Sequence, residues 1–96
     1  VSFADIEKAY NEKRFLSVIS LSNSYLINNA PTFELLRIRY RTYFIVGKYK
    51  ESLAEIDKIE TMGRLSTVAC DAKVIASTPY GNSSTLYEKY AKLCVK

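Results

Sequence analysis

Along the chain, apolar positions recur every three to four residues, the period of a helix with one buried face. Six such blocks follow one another. In the first, about Ser2–Glu12, Phe3, Ile6, Ala9 and Tyr10 share a face, and Ser2 with Asp5 has the form of an N-terminal cap. The second, about Phe15–Asn29, carries Val18, Ile19, Ser22, Tyr25 and Leu26 in phase and stops before Pro31. The third, about Thr32–Val46, is apolar nearly all round apart from three arginines, which predicts a central helix. It ends at Gly47, a residue suited to a left-handed turn. The fourth covers about Tyr49–Glu60 and the fifth about Leu65–Ser77. A turn cluster, Ser77–Ser84, precedes the sixth, about Thr85–Val95, where Thr85 and Glu88 have capping-box spacing.

The blocks repeat with a period of 34. Phe15 corresponds to Tyr49, Ile19 to Leu53 and Tyr87, Ser22 to Ile56 and Tyr90, Tyr25 to Ile59 and Leu93, and Gly47 to Gly81. A period of this length marks stacked helix–turn–helix units, each with a face it cannot bury alone. The expected class is all-α: three hairpin repeats, about 1–31, 32–63 and 64–96, in one domain. The chain begins with Val1, so it is read as a segment that a longer protein can contain.

The stretch from Glu34 to Glu60 resembles the tetratricopeptide repeat (TPR) family. Tyr43, Gly47, Tyr49, Ser52 and Leu53 stand in that family's order of aromatic, corner glycine, aromatic, small and apolar residues. Phe15, Ile19 and Pro31 carry the resemblance in the first unit. Gly81, Tyr87, Tyr90 and Leu93 carry it in the third. It implies a right-handed superhelical stack of about six antiparallel helices. It also implies an inner concave surface lined by the first helix of each repeat: Phe3, Glu7 and Tyr10, then Arg37, Arg41 and Phe44, then Asp71 and Ile75. The chain departs from the family at Ile6, Tyr40 and Val74, where a small residue is usual; wider helix spacing is expected there. The residues matching the family's carboxylate clamp for chaperone tails, including Phe3, Glu7, Ile38, Val68 and Ala72, lack its chemistry.

Composition narrows the function. With 48% hydrophobic and 25% charged residues, the chain has the makings of a core rather than of disorder. It has no histidine, and its carboxylates stand beside basic residues on helix surfaces, so no acid, base or nucleophile constellation points to an enzyme. Gly47-Lys48 offers one glycine with no strand before it and a tyrosine after it, which makes a helix corner rather than a phosphate loop. The two cysteines, Cys70 and Cys94, sit in apolar helical phase and read as small buried hydrophobes. Neither a metal site nor a cofactor is expected.

The net charge is +4, and Arg37, Arg39, Arg41, Lys48 and Lys50 form a run with no acid between them. Arg37 and Arg41, four apart, share a face. Two readings stay open: they grip a ligand carboxylate or phosphate, or they pair internally with Glu7, Glu34 or Asp71. The resulting expectation is a non-catalytic scaffold that holds an acidic–apolar peptide or helix in its concave groove. The alternative is a structural subunit that self-associates as a homo-oligomer through that groove or through a terminal apolar edge of Leu86, Tyr90 and Cys94. A nucleic-acid partner is not expected. No stretch reaches the length of a membrane span. No signal peptide is visible, so an intracellular location, cytoplasmic or nuclear, is expected.

Overall fold

The computed structural model describes residues 1–78 and 84–95. The Gly81 corner and most of the Ser77–Ser84 turn lie outside the described residues. The architecture is all-α. The six helices are α1 (Phe3–Asn11), α2 (Phe15–Asn28), α3 (Phe33–Ile45), α4 (Tyr49–Thr61), α5 (Leu65–Ala76) and α6 (Ser84–Leu93). Each packs on the next in chain order, and α1 also meets α3.

Local chemistry accounts for the ends. Ser2 caps α1: its Oγ accepts from the Asp5 N–H at 3.3 Å, while the Ser2 N–H donates to the Asp5 carboxylate at 2.9 Å. Thr32 caps α3 by accepting from the Leu35 N–H at 3.2 Å. At the end of α3, Gly47 has φ 82°; its N–H donates to Phe44 and that of Lys48 to Tyr43. The same pair of bonds closes α4 at Gly63 and α1 at Lys13. These are Schellman closures, in which two otherwise unpaired carbonyls of the last turn are satisfied. Thr85 does not cap α6, because the helix begins one residue earlier, at Ser84.

Two apolar clusters hold the stack. Ile6 and Ala9 of α1, Val18 of α2 and Leu35 of α3 form the first. Leu36 and Tyr40 of α3, Ile56 and Ile59 of α4, Val68, Ala72 and Ile75 of α5 and Tyr90 of α6 are the main members of the second. α3 belongs to both, which explains why its sequence is apolar on two sides. Tyr40 stands where the first repeat has Ile6. It is fully buried, and its phenol reaches across to Asp71 on α5.

On α6 the expected apolar edge faces inward. Tyr90 is buried, Leu86 packs against the second cluster, and Cys94 is bonded to Cys70. Tyr87, which the repeat aligns with Ile19 and Leu53, is 40% exposed. The cysteines are not free hydrophobes: they form a disulfide that ties the end of α6 to the middle of α5. Among the described residues, no helix is long and apolar enough to cross a membrane.

Candidate functional site

α1, α3 and α5 are the first helices of the three hairpins, and they present their groove residues at matching positions. Two adjoining hollows run across them. One, of about 340 Å³, is lined by Tyr10, Arg41, Phe44, Asp71 and Ile75 together with Tyr40, Ile45 and Val74. The other, of about 200 Å³, is lined by Phe3, Glu7, Tyr10, Arg37 and Arg41 together with Asn11, Glu34 and Ile38. Tyr10 and Arg41 border both. All eight residues selected from sequence therefore border one or other of these adjoining hollows, although Ile75 is only 2% exposed and belongs to the second core cluster. The lining residues not selected from sequence are Tyr40, Ile45, Val74, Asn11, Glu34 and Ile38; of these, Ile45 and Val74 have exposed aliphatic side chains that extend the apolar wall. Val74 is the period-34 counterpart of the buried Ile6 and Tyr40, which hid it as a core position.

The groove aromatics are held by partners one helix away. The Tyr10 ring meets Phe15 edge-on at 6.1 Å, and the Phe44 ring meets Tyr49 at 5.5 Å. These pairs are equivalent under the 34-residue period. In each, the first aromatic of the second helix braces the last aromatic of the first, so the groove wall is packed before any ligand arrives.

The three arginines of α3 divide sharply. Arg39 is buried. Its guanidinium bonds Glu55, Ser22, Asn23 and Tyr43, drawing α2, α3 and α4 together. It therefore does not belong to a basic surface. Its spacing was the available signal, since on a helix a residue two positions from Arg37 and from Arg41 points away from the face those two share. Arg37 and Arg41 make loose ion pairs: Arg37 with Glu34 at 3.4 Å and Arg41 with Asp71 at 3.7 Å, all four side chains about half exposed. Such pairs contribute about 0–1 kcal/mol each, and the Arg41 distance is beyond hydrogen-bond range.

Asp71 is fixed from the other side, where it accepts from the Tyr40 hydroxyl at 2.6 Å. Burial first, and the Asp71 carboxylate second, push the Tyr40 phenol above its ordinary pKa, so it stays a neutral donor. A further hollow of about 340 Å³ shares Arg41 and Asp71 with the first and continues past Cys70 to Leu93 and Val95. Arg41 thus stands where three hollows meet.

The lining carries three carboxylates, Glu7, Glu34 and Asp71, against two guanidinium groups. The groove is thus close to neutral, and its hollow beside Phe44 is mainly apolar. Among the described residues, no group of three or more potential metal ligands occurs together. Compared with protein-family models, curated proteins and solved structures, the chain matches none.

Proposed function

We propose that this domain is a non-catalytic interaction module of TPR-like design whose groove holds a segment of a partner polypeptide. The observation that carries the reading is the convergence of side chains from α1, α3 and α5 on one braced, mostly apolar groove with two loosely engaged guanidinium groups. Apolar anchors of the partner fill the hollow between Phe44, Val74 and Ile75. An acidic side chain of the partner replaces Glu34 or Asp71 on an arginine, a favourable exchange if the new pair is bidentate and better desolvated. The disulfide between Cys70 and Cys94 supports a working environment that is oxidising rather than cytoplasmic or nuclear.

The test is a peptide array of acidic–apolar segments, followed by titration of the best binder in solution. Arg41→Glu and Val74→Asp are each expected to weaken binding at least ~10-fold, equivalent to about 1.4 kcal/mol. Unchanged affinity in both variants, with the fold intact, would remove the groove from consideration.

A further inference from the structure

Every helix of the stack except α2 carries charged side chains; from Phe15 to Asn28 there is none. The outer face of α2 is nevertheless exposed. Leu16 is 72% and Ile27 78% exposed, and Ser20 and Asn23 between them are exposed as well. These four positions follow one another at spacings of four, three and four, which places them in a single stripe on the helix. Large aliphatic side chains occupy the two ends of the stripe, and small or short polar ones its middle.

We propose that this stripe is a docking surface for a second copy of the chain, with the two α2 helices crossing antiparallel about a two-fold axis. In that register Leu16 of one copy meets Ile27 of the other, and Ser20 meets Asn23. The position numbers of each pair have the same sum, so the face is complementary to itself, as a two-fold interface requires. The spacing is that of a coiled-coil seam, and the short residues at its centre let the backbones come close. Charge points the same way. On a chain of net charge +4, two copies approach with least repulsion where no charge is exposed. The first turn of α2 has no acid and its last turn has no base. Antiparallel pairing brings the exposed Lys13 at the start of one helix toward the carbonyl end of the other, where a cation is favoured. A shallow hollow of about 360 Å³ beside Leu16, bordered by Phe15, Ser17 and Val46 and at its rim by Lys13 and Arg14, gives the incoming Ile27 a seat.

A helix of this length spans about 21 Å. One helix pair buries less than the roughly 1,000 Å² typical of stable complexes, so the dimer is a weak one. The test is solution mass by sedimentation equilibrium from ~10 μM to ~1 mM, the range in which a weak interface shows itself. The wild type is expected to rise from monomer toward dimer. Leu16→Glu and Ile27→Lys, both at exposed positions, are each expected to shift the dissociation constant at least ~10-fold while the circular dichroism and melting curve stay unchanged. The double variant carrying both substitutions sets a carboxylate opposite an ammonium in the antiparallel register and is expected to recover dimerisation. A wild type that stays monomeric throughout overturns the proposal and leaves the stripe to the helix of a different protein. A dimer indifferent to both single substitutions overturns it by placing the interface elsewhere. A double variant no better than either single one overturns the antiparallel register. None of these outcomes bears on peptide binding in the groove, which lies on other helices.

Discussion

Arg39 of α3 and Glu55 of α4 form an ion pair sealed from solvent, and both side chains spend the rest of their bonding capacity on neighbours. Arg39 also donates to Asn23 at 2.9 Å and to the Tyr43 hydroxyl at 3.1 Å. The second Glu55 oxygen accepts from Lys58 at 3.0 Å. Removing Glu55 leaves the buried Arg39 guanidinium without its counterion, a loss of about 3–5 kcal/mol. Glu55→Leu alone is therefore expected to lower the melting temperature by more than ~12 °C, at about 4 °C or more per kcal/mol for a domain of this size. Arg39→Met leaves Glu55 its ion pair with Lys58 and is expected to lose less. The double variant is expected to lose much less than Glu55→Leu, because it leaves no charge stranded. Thermal melts of the three variants decide this; a double variant whose loss equals the sum of the two single losses would show that the pair is not coupled.

Lys13 and Gly47 occupy the same corner of successive hairpins, 34 residues apart, and both have positive φ, 60° and 82°. Each supplies an N–H to a Schellman closure. A lysine in the left-handed region carries a steric penalty of about 1–2 kcal/mol that glycine avoids. Lys13→Gly is expected to stabilise the domain by about 1 kcal/mol, the penalty being partly offset by the extra freedom of glycine in the unfolded chain. Gly47→Ala is expected to cost about 1 kcal/mol. A Cβ at Gly47 would meet nothing within 4 Å, so that cost is one of backbone conformation alone. Denaturant melts read both changes as opposite shifts in midpoint.

The disulfide ties Cys70 of α5 to Cys94, just beyond α6, across 24 positions of chain. α6 packs chiefly on α5, so it depends on that staple more than the inner helices do. In the loop-entropy view, closing a loop of this length stabilises a fold by about 3 kcal/mol. Reduction, or joint Cys70→Ser and Cys94→Ser substitution, is expected to lower the melting temperature by roughly 12–24 °C. Hydrogen exchange should locate the greatest loss of protection in α6. A melt unchanged by reductant would mean that α6 is held without the staple, by the packing of Tyr90 and Leu86 and by the Lys89–Glu60 ion pair.

The helices were legible because caps and periodicity are local. Ser2, Thr32 and Gly47 stand where their side chains or backbone freedom are needed, and the α2 and α4 starts at Phe15 and Tyr49 emerge at the expected residues. The groove residues came from the resemblance, and a 34-residue repeat puts them at equivalent positions of α1, α3 and α5. The departures all depend on distant partners. Cys70 and Cys94 share apolar phase, but only the placement of α6 brings their Cα atoms to 4.6 Å. Arg39 read as part of a basic run until α2 and α4 closed over it. Tyr87 and Tyr90 both follow the repeat, but only Tyr90 finds a cluster to enter. The burial of Arg39 removes the middle of the basic run, leaving a groove with less positive charge than the sequence suggests.

Tyr40 and Tyr90 connect the fold to alkaline pH. Burial is the main cause in both: it raises Tyr40 above the ordinary tyrosine range and pushes Tyr90 up to about 12. Asp71 adds to the first, and Asp57 and Glu60 add to the second. A phenol whose pKa is higher in the folded state keeps its proton there while the unfolded chain loses its own. The stability this contributes is fully present below the unfolded value near 10.0 and is lost as pH rises beyond it. The melting temperature is therefore expected to fall above about pH 10, with Tyr40 and Tyr90 among the eight tyrosines ionising only as the protein unfolds. Tyr40→Phe is expected to lose about 1 kcal/mol at neutral pH, because it removes the hydrogen bond to Asp71. It is also expected to flatten the alkaline decline, because one proton-linked group is gone. Following phenolate absorbance and helix signal together through an alkaline titration checks both points. If all eight phenols ionise while the helices persist, Tyr40 and Tyr90 are not the groups that couple folding to high pH.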